Sequence, residues 1–461
     1  MTPATIAGID ARLAAVLPAN SLYAVGGRVR DEVRAVRNGV APPVKDLDYV
    51  VTGIELTALV DRLRSIGSAD VVGASFAVVK ATLGGVTVDV ALPRRERSTG
   101  TGHRDFAVEA GPGVSLADDL ARRDFRMNML ARALPGGPLV DPYGGVADIR
   151  AGRVDVLRPT AFAEDPLRML RACQFAARFA YAIAPATMAA MVAAAPSIVT
   201  VSAERVRDEL MKMLAAPSPS LGFEAMRAAG LLAAILPELA EGSGVEQNVY
   251  HAYDVFRHNL AALDAADGDL VSRLAAVLHD CGKPRCKDGP HFYGHDGVGA
   301  DLAAALLDRL HFPAAVRDDV VALVRNHMYL HDPNLSPKAI RRFVRRVGPE
   351  RVERQFALRR ADVVASGLPR RGNENERFEE RVRTIVAERP PLSVAELAVS
   401  GLDAIEALVA AGALPPGSRG GPAVGRVLAA ALEAVLDDPR RNERTTLLAF
   451  VRERAKQERR G

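Results

Sequence analysis

The chain has 461 residues, 49% hydrophobic and 25% charged, a globular composition whose length predicts about three domains rather than one. Its three cysteines, Cys173, Cys281 and Cys286, exclude a disulfide framework and point to a reducing, cytoplasmic compartment. A net charge of +4, from 60 basic and 56 acidic residues, excludes a uniformly basic coat for nucleic acid, and the absence of Trp excludes base stacking as the main binding device, but 53 Arg against 7 Lys leaves room for local arginine patches.

Residues Met1 to Leu17 carry Asp10 and Arg12 and lack a long apolar core, so no signal peptide is expected. From about residue 20 to 150 short β-rich runs alternate with glycine breaks. Leu47–Val51, Asp70–Val72, Phe76–Ala81 and Val86–Ala91 read as strands, the last two joined by a Gly84-Gly85 hairpin turn. Tyr23-Ala-Val-Gly26-Gly27-Arg28-Val-Arg30-Asp31 reads as a strand, a glycine turn and a helix start. Such a turn lets the backbone approach a ligand, the helix N-terminus favours an anion, and Arg30 is placed to grip a phosphate.

Next comes Lys45-Asp46-Leu47-Asp48-Tyr-Val-Val. In a strand, positions 46 and 48 share one face, and two adjacent carboxylates repel unless a cation sits between them. The natural cation is Mg²⁺, and glycine turn plus paired carboxylates is a layout for two-metal nucleotidyl or phosphoryl transfer. Asp89, on the strand Val86–Ala91, is a candidate third ligand. Arg94-Arg95-Glu96-Arg97 and Gly100-Thr-Gly102-His103-Arg104-Asp105-Phe106 read as a polar loop beside the site.

After Asp155 the pattern is helical, punctuated by Pro159, Pro217–Pro219, Pro237, Pro390-Pro391 and Pro415-Pro416. Phe179 to Ala203 carries no charge, but it is Ala-rich, interrupted by Pro185 and Pro196 and dotted with hydroxyls. It is expected to form a buried helical hairpin rather than a membrane span. Between Arg341 and Arg383 lie 13 Arg against 7 Asp/Glu, which reads either as an RNA-facing patch or as a helix surface laced with ion pairs. The fold class expected is α+β, a small head with a mixed sheet followed by a long all-helical body.

Five ordered motifs in the first half carry a family resemblance: Gly26-Gly27-x-x-Arg30-Asp31 with Asp46-x-Asp48; Arg122-Arg123-Asp124-Phe125-x-x-Asn128; Asp141-Pro142-Tyr143-Gly144-Gly145; Glu164-Asp165-Pro166-Leu167-Arg168-Met-Leu-Arg171; and Ser202-Ala-Glu204-Arg205-Val-x-x-Glu209-Leu210. The chain resembles the class II tRNA nucleotidyltransferases (CCA-adding enzymes) and bacterial poly(A) polymerases of the polymerase-β-like superfamily. The resemblance implies catalytic Asp46 and Asp48 holding two Mg²⁺ ions, and ribose and triphosphate contacts from Arg123, Asp124 and Asn128. It implies base selection by Asp165, Arg168 and Arg171, and a nearby loop that assists the switch from C to A addition. Three positions depart from the family pattern: Arg126 in place of Thr or Ser, Met129 in place of Ala, and Gln174 where many relatives carry Arg.

The selecting motif is intelligible chemically. Cytosine and adenine both present an amine donor beside an unprotonated ring nitrogen, so a carboxylate and a guanidinium fit both. Uracil and guanine present a carbonyl beside an N–H, which costs roughly 1–3 kcal/mol per wrong contact.

Most of the nine histidines lie between 251 and 327. His258 lies in a helical run, His279-Asp280 ends the apolar run Leu274–Leu278, and Asp362 follows later. This order brings imidazoles and carboxylates around a divalent metal. It resembles the HD phosphohydrolase superfamily, with His258, His279, Asp280 and Asp362 at the ligand positions and a divalent transition metal implied. A structural HD fold without a working centre is the alternative, and His295 and His327 would extend the site or contact substrate. Cys281 and Cys286 lack the spacing of a zinc motif. Gly401-Leu402-Asp403, Gly421-Pro-Ala-Val-Gly425-Arg426-Val-Leu428 and Asn442-Glu443-Arg-x-x-Leu447-Leu448 look like the C-terminal helices that hold tRNA in bacterial CCA-adding enzymes.

The expected organisation is a nucleotidyltransferase head at 1–150, a helical neck at 151–245, an HD domain at 246–390 and a tRNA-binding tail at 391–461. The expected activity is addition of CCA to a tRNA 3′ end from CTP and ATP, with tRNA, CTP and ATP as partners and no membrane. CC-adding, A-adding or poly(A)-adding specificity, a phosphohydrolase centred on the HD domain, and a non-catalytic tRNA binder are the alternatives. Nothing in the sequence fixes the oligomeric state.

Overall fold

The computed structural model describes residues 1–39, 46–72, 77–98, 106–369 and 372–459, and the chain divides into two compact units. The first comprises Met1–Ala240 with Arg309–His311, and the second runs over Glu241–Asp308 and from Phe312 onward. Lys45, Phe76, the loop residues from Gly100 to Asp105, and Arg370 and Arg371 of the basic cluster lie outside the described residues.

The first unit opens with α1 (Pro3–Val16), β1 (Leu22–Val25), α2 (Gly27–Asn38), β2 (Asp48–Val51), α3 (Leu56–Arg64), β3 (Ser68–Val72), β4 (Val78–Leu83) and β5 (Val86–Ala91). A separate two-stranded ribbon, β6 (Arg94–Ser98) with β7 (Phe106–Ala110), precedes α4 (Leu116–Ala121), β8 (Ala131–Ala133), β9 (Leu139–Val140) and α5 (Gly145–Ala151). The main sheet has the order β3-β4-β5-β2-β1-β8-β9 and is mixed: β2 runs parallel to β5 and antiparallel to β1. The strands expected from alternation are present with shifted ends, and Gly84-Gly85 turns β4 into β5 with φ of 59° and 83°, a region that favours glycine.

Strands β1 and β2 lie at the centre of the sheet, where both their edges are paired. Val25, Val50, Leu120, Met129 and Ala131 form a buried cluster beneath them. Helix α1 is tied to this layer through buried Asp10, which accepts from the Arg28 guanidinium at 2.5 and 2.9 Å and from the Tyr49 hydroxyl at 2.6 Å. That network fixes the start of α2 against β2, the two elements that carry the candidate site.

The helical part of this unit includes β10 (Arg153–Val154), α6 (Ala161–Glu164), α7 (Leu167–Phe179), β11 (Ala182–Ile183), α8 (Pro185–Ala194), α9 (Ala203–Leu214), α10 (Pro219–Ala228), α11 (Leu231–Ile235) and α12 (Pro237–Ala240). The uncharged stretch from Phe179 to Ala203 is not a buried hairpin. It forms the short strand β11, one ten-residue helix, α8, and a six-residue 3-10 helix, with Val192 and Val199 exposed at 51% and 75%. Pro185 starts α8 and Pro196 ends its regular bonding, which keeps the segment short. No helix among the described residues is long and apolar enough to cross a membrane.

The second unit contains α13 (Val255–Ala265), α14 (Leu270–Leu278), α15 (His295–Arg309), α16 (Ala314–Arg325), α17 (Pro337–Val347), α18 (Val352–Ala365), α19 (Glu374–Ala387), α20 (Gly401–Ala410), α21 (Pro422–Asp437) and α22 (Arg444–Glu458). One core gathers Tyr329, Phe343, Phe356 and Phe378, and a second gathers the apolar faces of α20, α21 and α22. The arginines from 341 onward are largely engaged internally. Arg341 is buried and donates to the Leu436 and Asp437 carbonyls at the end of α21, Arg342 and Arg345 pair with Glu433, Arg351 with Asp319, and Arg360 and Arg383 with Glu379. The ion-pair reading of this cluster is the one the structure supports.

Candidate functional site

Helix α2 begins directly after Gly26, whose φ of 74° and ψ of −144° lie where side chains are strained. A Cβ there would sit 3.3 Å from Asp48 Oδ2 and 3.6 Å from Arg123 Nη1. The glycine therefore brings the N-terminus of α2 against a carboxylate and a guanidinium at once. Asp48 is the first residue of β2, and its register partner on β5 is Asp89. Asp46 precedes the strand instead of lying within it. Even so, Asp46 and Asp48 line one cavity of about 700 Å³, together with Gly27, Arg30 and Arg171. Burial pushes the Asp48 carboxyl above its ordinary range, Arg123 pulls it down, and the neighbouring charges of Asp89 and Asp46 push it up again. Asp89 is half exposed and lies 4.0 Å from Lys80 Nζ.

Arg123 is aimed by Asp119, a fully buried carboxylate at the end of α4 that binds Arg122 at 2.8 Å and Arg123 at 3.1 Å. Burial alone would raise Asp119, but the Arg122 and Arg123 charges hold it below the usual carboxylate range. Asp119 was not singled out in the sequence, although its spacing of three and four residues from the two arginines is a helical-pair signal.

Arg30 differs from its expected role. Its Nε and Nη2 donate to Asp31 and its Nη1 to Asn128, all at 2.9 Å. Asn128 in turn donates to Asp124 at 2.8 Å, and Arg171 of α7 donates to the other Asp124 oxygen at 2.8 Å. Phe125 meets Phe175 of α7 edge-to-face at 5.6 Å, an arrangement worth about 0.5–1.5 kcal/mol beyond area burial. The Arg-Arg-Asp-Phe motif thus joins the sheet to α7 through Phe125 on Phe175, Asp124 on Arg171 and the Arg122 carbonyl on Arg168.

Asp165 and Arg168 are not on one helical face. Pro166 breaks the chain, so Asp165 caps α6 in an extended conformation and α7 starts at Leu167. The Asp165 carboxylate accepts from Arg205 of α9 at 3.1 and 3.3 Å and from the Leu167 amide at 3.2 Å. Arg168 donates to Glu164 at 3.1 Å and to the Arg122 carbonyl at 2.9 Å. Neither lines the cavity that holds Asp46 and Asp48, whereas Arg171 and Gln174 do.

The second unit brings together every histidine and aspartate expected there. His258 comes from α13, His279 and Asp280 follow α14, and Asp362 comes from α18. His258 Nε2 lies 3.1 Å from His279 Nε2, 3.3 Å from Asp280 Oδ2 and 3.1 Å from Asp362 Oδ1. Neither Asp280 oxygen has a directed hydrogen bond, although the residue is 1% exposed. Lys283 Nζ lies 2.5 Å from Oδ2, and Arg359 holds Asp362 Oδ2 at 2.8 Å. Burial opposes charge on His279, but the Asp280 and Asp362 carboxylates push it up to about 10. Buried carboxylates faced by imidazole nitrogens are the donor set of a divalent transition ion. Lys283 and His251, which is grouped with His258 and Asp280, were not assigned from sequence. His279-Asp280-Cys-Gly-Lys283 already placed the lysine one turn from the aspartate.

Residues 22–155 match the poly A polymerase head domain, residues 180–242 a probable RNA and SrmB-binding site of polymerase A, and residues 249–367 the HD domain. The Multifunctional CCA protein of Nitrosococcus oceani is 37% identical over 369 residues, covering 77% of this chain and 87% of that protein. The chain belongs to the multifunctional CCA protein family. A second member, from Halorhodospira halophila, is 39% identical over 321 residues, covering 67% of this chain and 74% of its own length. The fold is that of the Bacillus stearothermophilus CCA-adding enzyme solved in complex with CTP, with a TM-score of 0.69 at 23% identity over 100% of both chains. The Thermotoga maritima CCA-adding enzyme complexed with tRNA aligns over 98% of this chain and 96% of its own, with a TM-score of 0.55 at 18% identity.

The three departures from the family's motifs now have physical accounts. Arg126 is engaged with Asp148 at 2.9 Å and with Asp155, and Arg153 holds the same Asp148 at 2.5 Å. This network ties Arg126 to α5 and β10. Met129 is 1% exposed and fills the core cluster beneath β1 and β2. Gln174 is buried and lines the cavity, one turn beyond Arg171, so the change from Arg removes a cation from that wall.

Proposed function

We propose that this chain adds CMP, CMP and AMP to the 3′ end of tRNA from CTP and ATP, without a nucleic-acid template. The observation that carries the reading is the single cavity in which Asp46 and Asp48 meet the start of α2 and Arg171 of α7, in a chain of the CCA protein family. The 3′ hydroxyl of the RNA attacks the α-phosphate of the nucleotide, forming one P–O bond and breaking that to pyrophosphate. The α2 N-terminus and Arg123 face the same point and are assigned to phosphate oxygens. Arg30, Asp124 and Asn128 are assigned to positioning, since they fasten α7 to the head.

The carboxylates fit divalent cations: Asp48 is held above its ordinary range by burial and by Asp46 and Asp89, a strain that a hard cation relieves. Asp46 and Asp48, with Asp89 as a third oxygen donor, are assigned to two Mg²⁺ ions. Bound there, Mg²⁺ would acidify the attacking hydroxyl and neutralise charge on the departing pyrophosphate. The rim of the cavity adds Arg28, Arg34, Arg178 and Lys212, cations suited to a triphosphate and an RNA end.

The head is assigned to 1–150, the neck to 151–245, the HD domain to 246–390 and the tRNA-binding tail to 391–461. The three thiols are free, with Cys173 and Cys281 buried, in keeping with a cytoplasmic protein. A second activity is favoured by the His258, His279, Asp280 and Asp362 cluster, which fits a divalent transition ion. Such an ion would activate water against a phosphoester.

Purified protein incubated with tRNA ending at the discriminator base, and with CTP and ATP singly and together, tests the main reading. CTP alone should extend the RNA by two nucleotides, and both together by three. Incorporation of A alone onto any RNA would make the protein a poly(A)-adding relative. Gly26→Ala is expected to slow addition roughly ten-fold, from about 1–2 kcal/mol of backbone strain and the intrusion on Asp48. Single-turnover incorporation of CMP, set against unchanged thermal stability of the second unit, reads this.

A further inference from the structure

The cavity that holds Asp46 and Asp48 extends away from the residues assigned to the base. Asp165 and Arg168 do not line it, whereas Arg34 of α2, Arg178 and Phe179 of α7, and Lys212, Ala215 and Pro217 around the end of α9 do. Arg34 stands seven residues past Gly27, so it lies roughly 10 Å along α2 from the glycine turn beside Asp48. Arg178 stands ten residues past Arg168, roughly 15 Å along α7 from the base-selecting end. The cavity therefore leads from the two carboxylates to a second cationic end.

That end carries more positive charge than its carboxylates balance. Arg30 binds Asp31 through two 2.9 Å bonds, and the same carboxylate is approached by Arg34 at 3.4 Å and by Arg178 at 3.8 Å. Among the described residues no other carboxylate pairs with Arg34 or Arg178, so three guanidiniums share one negative charge. Arg34 Nε is buried without a hydrogen-bond partner. The Arg34 guanidinium lies 3.7 Å from the centre of the Phe179 ring and that of Arg178 5.0 Å from it, and Phe179 stacks on Phe175 at 5.6 Å. The aromatic pair orients the two cations without neutralising them. Burial, then the Arg30 and Arg34 charges, hold Arg178 below the ordinary guanidinium value, with Asp31 opposing them. Lys212, paired with Glu209 at 2.8 Å, adds another exposed cation. Like charges packed this closely are stabilised by an anion placed among them.

We propose that Arg34, Arg178 and Lys212 seat the backbone phosphates at the 3′ end of the acceptor RNA, leaving the α2 N-terminus and Arg123 to the phosphates of the incoming nucleotide. The inference rests on the nucleotide-addition reading and deepens it by giving each substrate its own anion site. A polynucleotide brings a phosphate with every residue, so it needs cations beyond the reacting centre, where a mononucleotide has no group to offer. Phosphate contacts position a strand without reading its sequence. One seat therefore serves RNA ending in the discriminator base, in C or in CC.

The test is CMP addition by the full chain to tRNA ending at the discriminator base, with RNA and CTP varied in turn. Arg34→Gln and Arg178→Gln should each raise KM for RNA about ten-fold and leave KM for CTP within about two-fold. Arg123→Gln should show the reverse split. In filter binding without CTP, each of the first two variants should reduce the slope of log affinity against log salt by roughly 0.7, the single-strand value for one phosphate contact. Arg178→Lys should restore most of the loss, because a point charge suffices for a phosphate. A raised KM for CTP with that for RNA unchanged would give the cluster to the triphosphate and overturn the proposal. Equal changes in both constants with an unaltered salt slope would overturn it in favour of packing between α2 and α7. Should the parent add no CMP, the nucleotide-addition reading fails, and the salt slope still decides whether the cluster holds RNA. Should Arg34→Gln lose its stack on Phe179 and melt early, Arg178, whose side chain is 46% exposed, decides alone.

Discussion

Asp48→Asn should lower nucleotide addition on the order of 10³-fold, about 4 kcal/mol of transition-state stabilisation, while leaving tRNA affinity within about two-fold. The substitution keeps the side chain's volume and removes only its charge. Asp48 heads β2 beside Asp89 and faces the same cavity as Asp46, so three carboxylates share one end of the sheet. Burial and the Asp89 and Asp46 charges raise its carboxyl above the ordinary value, and Arg123 only partly compensates. A carboxyl whose folded value is raised loses stability for the protein once pH climbs above its unfolded value, because the folded state disfavours the charge. At neutral pH the Asn variant should therefore melt at the same temperature as the parent or above it. Function and stability then move in opposite directions, which is the signature of a group kept for chemistry. Filter binding of tRNA, CMP incorporation and a thermal melt measure the three quantities. A lower melting temperature, or equal loss of tRNA binding and catalysis, would make the carboxylate structural.

The same end of the sheet shows what a sequence discloses and what it does not. Gly26, Asp46 and Asp48 were legible because the constraint on each is local: a backbone region that favours glycine, and a spacing that places two charges together. His258, His279, Asp280 and Asp362 were legible because buried ionisable groups are rare enough to stand out by order alone. Long-range partners were not. Nothing in the sequence says that Arg30 donates to Asn128, 98 positions away, or that Arg171 completes the chain through Asp124. Arg126 is the clearest case: it stands inside the motif whose resemblance implies triphosphate contacts, yet its partners are Asp148 of α5 and Asp155, just after β10. The arginine cluster from 341 onward shows the same limit. Composition reveals that cations concentrate there, and only packing reveals that Glu433, Asp319 and Glu379 meet them. The uncharged stretch after Phe179 failed for another reason, since Ala is apolar by class but too small to require burial.

Replacing Asp165 and Arg168 together with Ala should raise incorporation of UMP and GMP relative to CMP and AMP on the order of 10²-fold or more. Two wrong contacts at roughly 1–3 kcal/mol each supply about 2–6 kcal/mol of discrimination. Pro166 removes Asp165 from the helix, so the pair is not held together by helical spacing, and each residue is oriented by a different neighbour. Arg205 of α9 grips the Asp165 carboxylate, and Glu164 with the Arg122 carbonyl grips Arg168. These contacts leave capacity for a base. A carboxylate offers about four acceptor sites, and a guanidinium offers five N–H donors. Arg122 adjoins Arg123, so Arg168 and the guanidinium proposed for phosphate are fixed to one another through the backbone. Arg205→Ala should accordingly relax selection less than Asp165→Ala, because it frees the carboxylate to rotate without removing it. Single-turnover incorporation with each of the four nucleoside triphosphates distinguishes these outcomes. Equal loss of all four reactions in the double variant would assign the pair to packing of α7 against the head, and selection would then lie with Arg171 and Gln174, the α7 side chains that line the cavity.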